Sequence, residues 1–230
     1  MARTALEIAR EAALKLSLKQ PSVLFSSTGR TEVELREALC EAADKMLFAH
    51  DWQVLKAINT HTGDGSTTEF APPSDFLRMP KDAQIHTSRL IGPLQQFTPE
   101  QWLYSEVNNL QVTHGAWTLY GGNFVYKPAP TDGETLKFFY VSKSAYQDSN
   151  SAVKAKFDAD DDTFRLDDRV LELLLVWIWR KQKGLDYAED LQDAEIALAR
   201  AIERDKGARV LTQPRRGFDV QTAYPISVTS

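Results

Sequence analysis

The sequence VLELLLVWIW, residues 170–179, is the most apolar run of the chain and contains one charged residue, Glu172. The run is about half as long as the roughly 20 residues that a helix needs to cross a membrane. Positions 170, 171, 174, 175, 178 and 179 would share one wide face of a helix. We therefore predict a buried helix here rather than a membrane span.

The residues around this run set the ends of the helix and lead into a second one. Asp167 and Asp168 lie where N-terminal caps belong, and Gly184 can end the helix. A new helix is expected to open within residues 186–189, and its apolar residues recur every three or four positions as far as Ile202. So short a joint predicts an antiparallel or sharply angled helix pair.

The N-terminal part of the chain also has the pattern of helices. Thr4 and Glu7 have the spacing of a capping box, and the same spacing recurs at Thr31 and Glu34. Each box precedes a stripe of apolar residues at helical spacing. We predict one helix that stops before Pro21 and a longer one that runs to about His50.

Between these helical regions the apolar period becomes that of β-strands. Two aromatic segments flank Gly121 and Gly122 within residues 117–126, which predicts a hairpin because glycine adopts positive φ in a tight turn. A second turn is expected at residues 128–133, followed by a strand from Thr135 to Val141.

Two further local signals fall in the same region. The run GDGS at residues 63–66 is typical of a turn, and we predict that it joins a hairpin between segments 57–60 and 67–70. Thr98, Pro99 and Gln101 combine a cap, a proline at the first helical position and a capping box, which predicts one short helix.

These elements predict an α+β fold that is mainly α. An antiparallel helical bundle would carry an inserted small antiparallel β module and an extended C-terminal arm. The predicted regions are the N-terminal helices of the bundle, residues 1–56; a β-rich insertion with one short helix, 57–160; a C-terminal helix pair that completes the bundle, 161–207; and the arm, 208–230.

The composition excludes several classes of protein. The chain has 230 residues, 43% of them hydrophobic, and a net charge of −5, which argues against a general binder of phosphate backbones. Its single cysteine, Cys40, excludes a disulfide framework and a cysteine-based zinc site, and its four histidines are scattered. Charged residues interrupt the apolar residues near the N-terminus, so we expect no signal peptide.

An acidic run is the most prominent polar motif. Asp158, Asp160, Asp161 and Asp162 alternate like the start of a calcium loop, but the glycine and the bidentate acid that such a loop requires are missing. We predict a solvated loop that precedes a helix. A loose cation contact, or a contact to a basic surface of a partner, remains open.

Two tryptophans suggest a second kind of site. Trp177 and Trp179 are followed by Arg180 and Lys181, and aromatic side chains interleaved with bases can bind single-stranded nucleic acid. Because both rings share the helical face of the apolar run, packing in the core is the favoured interpretation.

The C-terminal segment, residues 208–230, has no helical period but many apolar side chains. Such a segment cannot form its own core, and extended it reaches about 70–80 Å. We predict that it docks on another subunit, with a frayed terminus as the alternative. The predicted partner-binding residues are Arg209, Leu211, Arg215, Arg216, Phe218, Val220, Tyr224 and Ile226.

The order of these segments resembles one known class of protein. The segment PSDFLR (73–78) is followed by the hairpin 117–127, then by FFYV (138–141) with Phe157 and Asp158 after it, and then by the helices 166–183 and 188–204. This layout, over most of residues 31–206, is similar to that of the head-to-tail adaptor proteins of tailed phages. That class includes tail tubular protein A and related tail accessory proteins.

The resemblance implies a structural virion protein without catalytic residues, cofactor or metal. Such adaptors form a ring, usually of twelve copies, that binds the portal protein and extends the DNA channel toward a downstream tail or nozzle protein. The helical bundle would form the ring wall, and residues 209–230 would be the portal-binding arm. Double-stranded DNA would pass through without specific binding. The expected location is the head–tail junction of the virion, after assembly in the host cytoplasm and without contact to a membrane.

Three alternatives remain open at this point. The chain could form another ring of the tail, a stopper or a tail terminator. It could be a small metal-dependent hydrolase that uses aspartates within residues 158–168. The third alternative, a nucleic-acid-binding regulator that uses Arg209, Arg215 and Arg216, is disfavoured by the acidic charge balance.

Overall fold

The computed structural model of the chain describes residues 2–206. Within them the fold is α+β, with five α-helices and eleven short strands. The helices are α1 (Ala5–Lys15), α2 (Arg30–Ala49), α3 (Pro99–Val107), α4 (Asp168–Gln182) and α5 (Ala188–Asp205). The strands are β1 (Lys56–Thr62), β2 (Glu69–Phe70), β3 (Phe76–Arg78), β4 (Ile85–Thr87), β5 (Gln95–Gln96), β6 (Ala116–Tyr120), β7 (Asn123–Lys127), β8 (Thr135–Ser142), β9 (Tyr146–Gln147), β10 (Val153–Lys154) and β11 (Thr163–Phe164).

The apolar run of residues 170–179 forms most of α4, as predicted, and α4 contacts α1, α2 and α5. Its buried face includes Leu171, Leu175 and Ile178. The facing sides of α1 and α2 are rich in alanine, which lets neighbouring helices approach closely. Four of the five helices share one hydrophobic core with β9 and β11, two strands of the small sheet β10-β9-β11.

The helix ends test the predicted caps. The capping boxes at Thr4 and Thr98 are both formed, and the side chain of Asp167 accepts hydrogen bonds from two backbone N–H groups at the start of α4. The box predicted at Thr31 is wrong, because α2 already begins at Arg30. Its N-cap is Gly29, whose extended backbone enters the helix without a side-chain cap.

The β region contains two sheets that face each other. In the first sheet β8 pairs with β1, β3 and β4; in the second the order is β2-β7-β6-β5. Their facing sides enclose an aromatic core that includes Trp117, Phe124, Tyr126 and Phe138. Helix α3 covers the other side of the second sheet, where Trp102 packs with Ala116 and Val125. We call these two sheets with α3 the β module.

Two predicted turns have different outcomes. Gly121 and Gly122 both have positive φ and join β6 to β7 in the predicted hairpin. The hairpin predicted at residues 63–66 is wrong, since β1 pairs with β8 and β2 with β7. The turn at residues 63–66 instead crosses from one sheet to the other and contacts the turn at residues 128–133. The Gly63 N–H donates a hydrogen bond to the backbone carbonyl of Glu134, and the Gly65 N–H donates one to that of Pro130.

One pair of strands departs from the predicted antiparallel arrangement. Strand β5 runs parallel to β6, with Gln95 opposite Ala116. Parallel neighbours need a long connection, and here the chain between β5 and β6 contains α3. The parallel pair therefore follows from the way α3 crosses the second sheet.

Candidate interaction surfaces

The predicted partner-binding residues, from Arg209 to Ile226, lie outside the described residues. The surfaces described below therefore lie within residues 2–206. In that range no group of three or more His, Cys, Asp or Glu side chains is placed to hold a metal ion. No helix among the described residues is both long enough and apolar enough to span a membrane.

Two of the four aspartates of the acidic run brace the fold, which corrects the prediction of a solvated loop in part, since the other two are exposed. The Asp160 carboxylate accepts hydrogen bonds from the backbone N–H groups of Leu24, at 3.0 Å, and Phe25, at 2.8 Å. Asp162 is fully buried and accepts from Lys154 Nζ at 2.8 Å and from two backbone N–H groups of its own loop. Burial opposes ionisation of Asp162, but these donors outweigh it and lower its pKa. The two carboxylates thus fasten the loop to the helical core.

One of the scattered histidines is enclosed in the aromatic core of the β module. His61 Nδ1 lies 2.9 Å from Tyr126 Oη, and the imidazole stacks on Phe70 with ring centroids 5.0 Å apart. Its other ring nitrogen is buried and has no hydrogen-bond partner within the described part of the chain. Burial lowers the pKa of His61, because a proton would place a charge among aromatic rings.

This histidine predicts a pH dependence of stability. The folded chain resists protonation of His61, whereas the unfolded chain takes up the proton near the usual pKa of 6.5. We expect the free energy of unfolding to fall as the pH drops below 6.5, with a slope of at most about 1.4 kcal/mol per pH unit. The His61→Phe variant should lose this slope. Urea unfolding of both chains between pH 7 and pH 5 measures it, and parallel pH profiles would contradict the assignment.

The two tryptophans of α4 pack against the core, as predicted. Trp179 is buried and Trp177 is partly buried. Lys45 Nζ and Lys181 Nζ lie 5.5 Å and 5.4 Å from the centroid of the Trp177 ring. Since both lysines already sit over this ring, it is not an open platform for stacking a base.

A groove of about 1350 Å³ runs between α4 and α5. Its apolar floor includes Leu173, Ile196 and Ala197, and charged side chains of both signs surround it. It lies on the helix, α5, that ends next to the predicted arm. The mixed charge gives the groove no preference for a partner of one sign.

Helix α3 is apolar on both of its sides. Trp102 and Ser105 are buried against the second sheet. At 100° per residue, Glu100, Leu103, Tyr104 and Val107 occupy the opposite side, at i, i+3, i+4 and i+7. Leu103, Tyr104 and Val107 are 59%, 64% and 72% exposed. We call these four residues the α3 face.

The outer side of the first sheet carries a second exposed apolar site. Ile58 on β1 and Phe139 on β8 are directly opposite each other in the ladder and are 61% and 54% exposed. They line a groove of about 760 Å³ whose rim includes three lysines, Lys56, Lys81 and Lys137. We call this site the β1–β8 groove.

A comparison with known protein families assigns the chain that carries these surfaces to one family. A family model described as SU10 adaptor protein matches residues 3–223. The chain belongs to the SU10 adaptor protein family. A search of curated proteins found no match.

Membership in the SU10 adaptor protein family confirms the coarser part of the resemblance. The chain is a structural adaptor of a bacteriophage, and the family implies association with portal and tail components at the head–tail junction of the virion. The closer likeness to tail tubular protein A is not confirmed and stays a prediction. The matched residues include both the helical core and the β module, so both are parts of the family's shared sequence.

The sequence contained a signal for one of the two exposed sites of this SU10 adaptor protein. The spacing of Leu103, Tyr104 and Val107 marks a second apolar stripe on a helix whose Trp102 already faces inward. The β1–β8 groove had no such signal. Alternation in a strand shows that Ile58 and His61 face opposite sides, but not which side is covered.

Proposed function

We propose that this protein is a head-to-tail adaptor that assembles as a ring on the portal vertex and extends the DNA channel toward a downstream tail or nozzle protein. The single observation that carries the proposal is the family match over residues 3–223. The usual number of copies in such a ring is twelve, to match the portal. Helices α1, α2, α4 and α5 would act as an antiparallel bundle that forms the ring wall.

In this proposal the protein is structural and has no catalytic site. Two of the aspartates within residues 158–168 that a metal-dependent hydrolase could use, Asp160 and Asp162, accept hydrogen bonds from donors of the protein itself. These hydrogen bonds support a bracing role for the two carboxylates. The net charge of −5 suits a channel through which DNA moves, because tight phosphate binding requires cations.

The C-terminal segment is the proposed portal-binding arm. It lies outside the described residues, and the support for its role is its sequence. Phe218, Tyr224 and Ile226 are large apolar side chains in a segment with no helical period. Each such side chain contributes roughly 1.5–3 kcal/mol when it moves from water into a partner's surface.

Co-sedimentation with purified portal rings tests the proposal. The full chain should migrate with the portal and not with rings of a stopper or tail terminator from the same phage. Migration with one of those rings and not with the portal would replace the proposal with the alternative of another tail ring. Absence of binding to any of them would contradict an adaptor role in this position.

A further inference from the structure

The two exposed apolar sites of the β module lie at opposite ends of one stack of layers. On β8, Phe138 and Tyr140 point into the core while Lys137 and Phe139 point outward into the β1–β8 groove. The core is followed by the second sheet, and α3 covers the far side of that sheet. The α3 face therefore points away from the β1–β8 groove, with the whole module between them.

The charges of the two sites are complementary. The α3 face carries one acid, Glu100, and no basic residue, while the other acid of the helix, Glu106, lies off this face and pairs with Lys127. The β1–β8 groove is lined by three lysines and one acid, Asp82. An acidic apolar helix face and a basic apolar groove on the same chain match each other, and neither matches itself.

We propose that the α3 face of one copy of this chain docks into the β1–β8 groove of a neighbouring copy. Two different patches that meet in this way form a heterologous, head-to-tail contact, which generates a ring when the rotation between copies closes. The inference rests on the proposed function, because it supplies a contact between the copies of the proposed ring. Leu103, Tyr104 and Val107 would cover Ile58 and Phe139, and Glu100 would lie among the lysines of the rim.

The shapes of the two sites agree with this docking. The nine-residue helix α3 is about 13 Å long at 1.5 Å per residue, and it presents one continuous stripe. The groove, of about 760 Å³, is in the size range of pockets that hold drug-sized molecules. Burying apolar side chains on both partners at once removes two exposed patches from water.

A charge swap in the full chain tests the contact. Glu100→Lys and Lys137→Glu should each weaken self-association about tenfold, which corresponds to about 1.4 kcal/mol. The double variant should recover most of the loss. Asp132→Lys is the matched control, since Asp132 lies on an exposed turn and belongs neither to the α3 face nor to the lining of the groove. Sedimentation velocity over a range of concentrations gives the affinities, for the chain alone and for the chain bound to portal. Single variants that self-associate as tightly as wild type overturn the inference, and so does a double variant that self-associates no more tightly than the single variants.

Cross-linking tests the same contact by position. In a Cys40→Ser background, Ile58→Cys with Val107→Cys places one thiol on each outer side of the module, separated within one copy by two packed sheets about 10 Å apart and by α3. A short bismaleimide should give a ladder of oligomers from this pair and at most a dimer from either cysteine alone. No ladder, with or without portal, overturns the inference, and so does a link from Val107→Cys to a portal or tail protein.

The two experiments separate this inference from the proposed function. A ladder together with charge-swap recovery, but no binding to portal, would retain the contact and reject the portal role. Binding to portal without a ladder of cross-linked oligomers would retain the portal role and reject the contact between copies.

Discussion

Replacing Glu172 with glutamine is expected to lower the free energy of unfolding by about 3 kcal/mol. The Glu172 side chain is 1% exposed and lies in the second turn of α4, the helix that contacts α1, α2 and α5 in the helical core. Lys15 Nζ, Arg3 Nη1 and Arg169 Nη1 lie 2.6, 2.7 and 2.9 Å from its carboxylate oxygens. The amide would remove the charge that the three cations share, although Arg3 would keep its ion pairs with Glu11 and Asp168.

The ionisation of Glu172 explains the size of this effect. Burial alone would raise its pKa, but hydrogen bonds from Lys15, Arg3 and Arg169 outweigh burial and lower the pKa to about 2. The carboxylate therefore contributes stability above its usual pKa of 4.5 and loses that contribution as the pH falls toward 2. The difference between wild type and Glu172→Gln should shrink over the same interval.

Chemical denaturation of the two chains at pH 7 and at pH 3 measures both expectations. Glu195→Gln is the control, because Glu195 is exposed on α5 and its replacement should change stability by less than about 0.5 kcal/mol. A Glu172→Gln chain as stable as the control at pH 7 would show that the cluster does not hold α1 to α4.

Ending the chain after Lys206 is expected to weaken portal binding at least about a hundredfold while the remaining protein unfolds cooperatively at the wild-type temperature. The removed segment contains Phe218, Tyr224 and Ile226, and the loss of even two such contacts exceeds the 2.7 kcal/mol or so that a hundredfold change represents. The retained residues include all of the helical core and β module that the structure describes.

Surface plasmon resonance on immobilised portal, with calorimetry of each chain, measures this prediction. A full-length chain with Phe218→Ser, Tyr224→Ser and Ile226→Ser is the matched variant, and it should bind as weakly as the truncated chain. If the truncated chain bound the portal with wild-type affinity, the C-terminal segment would not be the portal-binding arm, but the assignment to the adaptor family would stand.

Local signals in the sequence were enough to predict elements whose partners are close in sequence. The boxes at Thr4 and Thr98 involve groups three residues apart, and the hairpin at Gly121 and Gly122 joins adjacent strands. The turn at Gly63 shows the limit of prediction from local signals. Its residues do form a turn, but its flanking strands pair with β8 and β7, more than 50 residues away, and no local rule selects those partners.

The polar brace at Asp160 and Asp162 could not be predicted for the same reason. An acidic run in a sequence has the composition of a solvated loop. Asp160 is satisfied by the backbone of Leu24 and Phe25, and those two residues meet it only after the helical core has formed. The burial of Asp162 is likewise a consequence of packing, since Lys154 and the loop backbone must be in place before the charge can leave water.

Electron microscopy of portal rings mixed with the purified full chain tests the central claim most directly. We expect one added ring of repeated copies, in direct contact with the portal, in which each copy touches the next. Portal rings without added density, or density of single copies that do not contact one another, would contradict it.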